Sequence, residues 1–267
     1  MKRTAVREAA QVENSRPLRI GARVGYAVNG LVHLLIGVIA ISVAKGTGGE
    51  ADQSGALGQL ASSPGGLALL WITVVGLTLL GVWQILHALL SSGSDATRKW
   101  AHRIGELGKA AAYLFVAATA FTFARGSTTN SVGSTQSLSA RLLALPGGKF
   151  ILFGLGLLVL AIGVVFVIRG LTQRFLQSMN TPHGPLGKLT VAFGAVGYVA
   201  KGIALGVVGV LFCVAAATIN PSEATGLDGA LKALTTLPFG TVLLVLVGAG
   251  LIAYGVYCGF RARFARL

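Results

Sequence analysis

The chain has 267 residues, of which 54% are hydrophobic and only 11% charged, and its mean hydropathy is +0.75. A water-soluble domain carries roughly 25% charged residues, so a soluble enzyme or soluble carrier is excluded and lipid is the expected solvent. The formal net charge of +14 would point to nucleic acid on a soluble protein, but the placement of the basic residues assigns it to membrane topology instead.

Residues 1–20 read as a basic N-terminal arm without stable structure, carrying Lys2, Arg3, Arg7, Arg16 and Arg19. Crossing a bilayer takes about 20 mostly apolar residues, and the first such run covers 24–44. It is too long for a cleaved signal peptide and has two later counterparts, so it is expected to be retained. Further runs follow at 67–90, 104–124, 150–168, 193–217 and 239–260. No seventh fits.

These runs pair into three copies of one unit, at 21–92, 101–173 and 186–264. Each copy opens on a glycine (Gly25, Gly105, Gly197) and reaches a turn at Pro64-Gly65, Pro146-Gly147 or Pro238-Phe239-Gly240. At a fixed distance beyond the proline stand Gly81, Gly163 and Gly255, and further on His87, Arg169 and Arg261. Self-similarity of this kind sets the architecture before any local reading. It predicts an all-α integral membrane protein of six transmembrane helices in three tandem two-helix repeats, arranged with pseudo-threefold symmetry as one membrane domain. Short pieces before each proline, ALGQLASS from Ala56, SLSARLLAL from Ser137 and GALKALTTL from Gly229, have apolar residues at helical spacing and suit interfacial helices. The tracts Gly46–Gly49 and Gly126–Ser139 read as mobile connectors.

Fifteen of the 22 basic residues fall at the termini and in the even-numbered loops, while Lys45, Arg125, Arg141, Lys149 and Lys232 lie on the other side. Basic loops stay in the cytosol, which places both termini there. The expected partners are membrane lipids, with anionic headgroups at the cytosolic face; nucleic acid is not expected, and no protein partner is specified.

The chemistry lies on the first helix of each repeat. One, four and eight residues after the leading glycine come Tyr26, Asn29 and His33, then Glu106, Lys109 and Tyr113, then Tyr198, Lys201 and Leu205. Offsets differing by three and four make one stripe per helix. Because a Lys or Asp at mid-span costs about 2.5–3.5 kcal/mol against hydrocarbon, the three stripes are expected to converge. Glu106, the acid within a span, can pair with Lys109 or bridge it to Lys201. Alternatively both lysines snorkel to the headgroups. His33 suits a hydrogen bond to a neighbour better than a proton relay. Gly81, Gly163 and Gly255, with the pair Gly202 and Gly206, read as close-packing positions, as do Gly255 and Gly259.

Other chemistry is absent from the pattern. Cys213 and Cys258 fall at opposite membrane faces, so no disulfide is expected. Neither a metal nor another cofactor is expected, since Cys258, His87 and His102 have no ligand spacing. Gly187-Lys188 lacks the rest of a phosphate loop, and no catalytic motif occurs, so the protein is not expected to be an enzyme.

The recurring Gly-Tyr/Glu-x-x-Asn/Lys near a basic residue, as in Arg23-Val-Gly25-Tyr26 and Arg103-Ile-Gly105-Glu106, precedes loops of the type Asp52-Gln-Ser-Gly-Ala-Leu57 and Asp228-Gly-Ala-Leu231. In these the chain, from about Arg19 onward, resembles the bacterial membrane family catalogued as domain of unknown function 1206, built of three tandem two-span units. The resemblance implies the fold and a cytoplasmic-membrane location, and no activity or catalytic residues. The second copy departs most, with Glu106 in place of Tyr and Ser137 to Ser139 in its loop. Two functions are left open: handling of a small solute or lipid with an anionic group through the polar stripes, or a non-catalytic accessory or assembly role.

Overall fold

The computed structural model describes residues 15–90 and 96–267, with the side chains of 96–99, 101 and 102 left aside. Residues 1–14 of the expected arm, and the side chain of His102, lie outside the described residues. The described chain is helical, without a strand, and six of its helices are long and apolar enough to cross a membrane. In order they are α1 (Arg16–Ala44), α3 (Gly66–Leu90), α4 (Ala96–Ala124), α6 (Gly148–Leu171), α7 (Pro185–Thr218) and α9 (Gly240–Phe264). Three short helices precede the proline turns: α2 (Gln53–Ala61), α5 (Ser131–Leu143) and α8 (Gly226–Leu234).

The helices run longer than the apolar runs alone suggested. α1 starts at Arg16, so the last residues of the expected arm are helical. α7 takes 34 residues and starts at Pro185, a residue whose missing N–H and fixed φ suit the first helical position. The connector reading of Gly126–Ser139 fails from Ser131 onward, where α5 forms. Asn130 is the reason: its side chain accepts from Gly133 N at 2.8 Å, satisfying one of the orphan donors of the first turn.

The same turn occurs three times after the short helices. Gly66 N donates to Ser63 O, Gly148 N to Leu145 O and Gly240 N to Leu237 O, all at 2.8–2.9 Å. The residue after the proline is left-handed each time. Gly65 (φ 74°) and Gly147 (φ 75°) adopt this without strain, whereas the third copy forces Phe239 into it (φ 59°). A Cβ on the next glycine would overlap the Leu60, Leu142 or Leu234 carbonyl oxygen.

The described residues fall into two compact units: 15–29, 60–90, 96–127 and 258–267 form unit 1, and 30–59 and 128–257 form unit 2. In unit 1, Leu18, Ala22, Tyr26 and Val28 of α1 pack with Leu77, Leu80 and Trp83 of α3 and Ala117 of α4, and Tyr113 packs against the same core. Gly81 faces α4, where a Cβ would come 2.9 Å from Leu114. In unit 2, α6 and α7 meet along glycines: a Cβ on Gly163 would lie 2.7 Å from Gly202 O and 2.9 Å from Gly206 N. Gly255 backs onto Gly30 O at 2.7 Å in the same sense, while Gly259 faces open space and is not a packing position. Between helices in lipid, close van der Waals contact supplies the association that water would otherwise drive. Large apolar residues accordingly remain on the outside, Phe115 and Phe150 both at 71% exposure.

Candidate functional site

Within its long helices, unit 2 holds a polar centre around Lys201. Lys201 lies sixteen residues beyond Pro185 on α7, about 24 Å at 1.5 Å per residue, and thus near the middle of a 34-residue helix. Its Nζ donates to His33 Nε2 at 2.9 Å. With the lysine as an ammonium, which only donates, Nε2 accepts and the ring proton sits on Nδ1. His33, 7% exposed, is the eighteenth residue of α1, also mid-helix.

Aromatic faces complete the surroundings. Lys201 Nζ stands 4.4 Å from the Tyr254 ring centre and 5.4 Å from that of Phe166. The negative face of each ring attracts the cation. His33 tilts against Tyr254 at 4.8 Å. Tyr198 stacks on Phe166 at 5.3 Å and on Phe175 at 4.9 Å, and Tyr257 meets both Tyr198 and Phe175 edge-on. Two predicted stripes therefore do meet here, that of repeat 1 through His33 and that of repeat 3 through Tyr198 and Lys201. The lysine keeps part of its surface accessible, so a fixed donor faces whatever reaches it.

Unit 1 holds the other predicted residues in a different arrangement. Lys109 Nζ donates to Glu106 Oε1 at 2.6 Å across one turn of α4, with the two side chains 33% and 11% exposed. Glu106 is thus bonded to the lysine of its own helix. Asn29 donates to the Cys258 thiol at 3.4 Å. Tyr26 lies under the Arg261 guanidinium, 4.4 Å from ring centre to Cζ, and Tyr113 is partly buried against the core that contains Tyr26.

Sequence reasoning missed Tyr254 and Phe166, both on second helices, and read Arg261 only as a repeated basic position. A signal did exist, since all 5 tyrosines fall within the apolar runs and a buried phenol asks for a polar neighbour.

Outside the spans, the loop aspartates of repeats 1 and 3 are buried in unit 2, Asp52 at 2% and Asp228 at 3%. Asp228 Oδ1 accepts from Ala51 N at 2.7 Å and Oδ2 from Lys232 at 2.7 Å. Asp52 accepts from Gly55 N at 3.0 Å, capping α2, and the Ser54 hydroxyl bonds Thr129 at 3.0 Å and also Ser131. Burial pushes the Asp52 carboxyl above the usual range against these hydrogen bonds. Glu50 is raised too, first by burial and then by Asp52 and Asp228. Both cysteines are free thiols, and the described residues contain no His/Cys/Asp/Glu group able to hold a metal ion.

Comparison with known proteins agrees with the threefold construction. A relative from Bacillus subtilis (strain 168), "Uncharacterized protein YxxB", is 33% identical over 241 residues, covering 88% of this chain and 86% of its own. No solved structure matches. Three successive segments, 24–91, 104–173 and 196–265, each match one family model, and the chain therefore belongs to the family described as Domain of Unknown Function (DUF1206).

Proposed function

We propose that this polytopic membrane protein handles a small solute or lipid bearing an anionic group, which it receives at Lys201. The observation that carries this reading is a mid-helix ammonium held between a neutral imidazole and two aromatic faces, with part of its surface accessible. Such an ammonium offers an anion a donor whose position is already set, so little ordering is lost on binding. The role is binding and passage rather than catalysis. The basic loops orient the protein in a bacterial cytoplasmic membrane with both termini in the cytosol, where those loops also meet anionic headgroups.

The ligand test uses purified protein with butyrate and glycerol 3-phosphate as probes of carboxylate and phosphate. At 100 times the dissociation constant, a bound anion stabilises by about 2.7 kcal/mol, so the melting temperature should rise in the wild type and not in Lys201→Met. Equal shifts in both proteins would overturn the assignment. Orientation is read separately, in a Cys213→Ala/Cys258→Ala background. Cysteines at Thr47, Ser127 and Ser222 should react with an impermeant thiol reagent on intact cells, and one at His183 should not; the reverse pattern inverts the topology.

A second reading, an accessory or assembly subunit without a ligand, is favoured by the closed Glu106–Lys109 pair and by the glycine-lined α6–α7 contact. It predicts a co-purifying membrane protein and no anion-dependent stabilisation.

A further inference from the structure

The bond between Lys201 and His33 limits how many protons the site can hold. With the two nitrogens 2.9 Å apart, one must donate and the other accept, because an ammonium and an imidazolium bring only donors to the contact. One of the pair is therefore without its proton. With Lys201 as the ammonium it is His33, whose Nε2 lone pair faces Nζ. Packing holds the two together. α9 lies close against both helices that carry them: a Cβ on Gly37 of α1 would come 2.5 Å from the Gly248 carbonyl oxygen, and one on Gly197 of α7 would come 2.5 Å from the Tyr254 Cα.

The titratable and charged groups of unit 2 around this pair are few. α7 supplies Tyr198 beside Lys201, and α9 supplies Tyr254 with Tyr257 next to it. α6 presents Phe166 to Nζ, with Arg169 a turn further on and exposed. The acids of unit 2, Glu50, Asp52, Glu223 and Asp228, lie outside its long helices. An anion that reaches the accessible side of Nζ changes the proton count. An oxygen about 2.9 Å from Nζ lies within about 6 Å of Nε2 whichever direction it comes from, close enough for its charge to favour an imidazolium. Nε2 then takes a proton from water, the bond from Nζ to Nε2 is given up, and both nitrogens donate to the anion. The occupied site holds two positive charges. A dianion, such as a phosphate monoester, balances both, whereas a single carboxylate leaves one uncompensated within the span, where charge is costly.

We infer, resting on the anion reading of Lys201, that the pair takes up one proton at His33 with each anion it binds, and that the anion is doubly charged.

Sulfate is the probe, because it carries two charges and does not itself titrate near neutral pH. The purified full chain, in weakly buffered detergent solution, is titrated with sulfate while calorimetry reads binding and a pH indicator reads protons. The wild type should take up about one proton per sulfate, and its affinity should fall about tenfold per pH unit above neutrality. His33→Asn keeps a polar side chain beside Lys201 and should bind sulfate more weakly, with no proton uptake and no pH slope. If that variant is unfolded, His33→Gln is read in its place. The preference for sulfate over butyrate should also shrink in the His33 variant. Glu106→Gln should leave the proton count unchanged, since Glu106 is bonded to Lys109 in the other unit. Sulfate binding by the wild type without proton uptake overturns the coupling and leaves the anion reading standing. Uptake that persists without His33, or that disappears in Glu106→Gln, overturns the assignment to His33. A wild type that binds neither sulfate nor butyrate at any pH overturns both readings.

Discussion

Each compact unit contains one intramembrane lysine of the predicted stripes, and the two are stabilised by opposite means. Lys109 in unit 1 bonds a carboxylate three residues away on its own helix and keeps a third of its side chain exposed. Lys201 in unit 2 bonds a neutral imidazole 168 residues away and lies between aromatic rings. The first arrangement is local and cancels charge. The second needs two repeats folded together and sets the Nζ against ring faces.

The largest effect should come from removing the long-range partner. A hydrogen bond to a charged group contributes about 1.5–3 kcal/mol, so His33→Leu is expected to cost about 2 kcal/mol by thermal unfolding in detergent. Adding Lys201→Met should recover part of that loss, as coupled neighbours do. Additive effects of the two changes would mean that the pair contributes nothing. Glu106→Gln should cost about 1 kcal/mol or less, the range of a helical pair whose lysine can reach water or headgroups. If it exceeds His33→Leu, the ranking of the two units is reversed.

The turns extend the comparison. Unit 1 places Gly65 in the left-handed position, whereas the last turn of unit 2 places Phe239 there, 86% exposed. A non-glycine residue in that region costs about 1–2 kcal/mol, so Phe239→Gly should raise the melting temperature by the equivalent of about 1 kcal/mol and Gly65→Phe should lower it. No change in Phe239→Gly would show that the phenyl ring gains as much from its surroundings as the backbone loses.

The smallest expected effect is a pH slope confined to the loops of unit 2. Asp52 and Glu50 both have raised carboxyl pKa values in the folded chain. Their contribution to stability is therefore fully present below the ordinary carboxylate range and is lost as pH rises through the raised values. Acidifying from neutral pH toward that range should stabilise the protein, and Asp52→Asn should flatten the rise, leaving the part due to Glu50. A slope of the opposite sign would show that the hydrogen bonds at Asp52 outweigh its burial.

Particular residues show how far the sequence carries. Apolar runs and repeated Pro-Gly signals were sufficient for six spans, because in lipid every span must be apolar whatever its partners. The Glu106–Lys109 bond was legible because helical spacing alone makes it. His33 with Lys201 was legible only as an expected convergence of stripes, since the choice of partner depends on how helices of different repeats pack. Tyr254 and Phe166 escaped because they belong to second helices, where no stripe was sought. The Ser/Thr-rich segment from Ser131 looked irregular by composition, yet one capping side chain, Asn130, was enough to start a helix there.

The bond between the Ala51 amide and Asp228 joins residues 177 positions apart, and it ties the timing of assembly to the order of synthesis. At about 5–20 residues per second, the loop of the first hairpin waits on the order of 10 to 30 s before its acceptor has been made. Four long helices, α3, α4, α6 and α7, are made during that interval while the first loop holds an unfinished contact. Any chain that stops short of the third repeat leaves the Ala51 amide without its aspartate, so the earliest part of the protein to enter the bilayer is among the last to be secured.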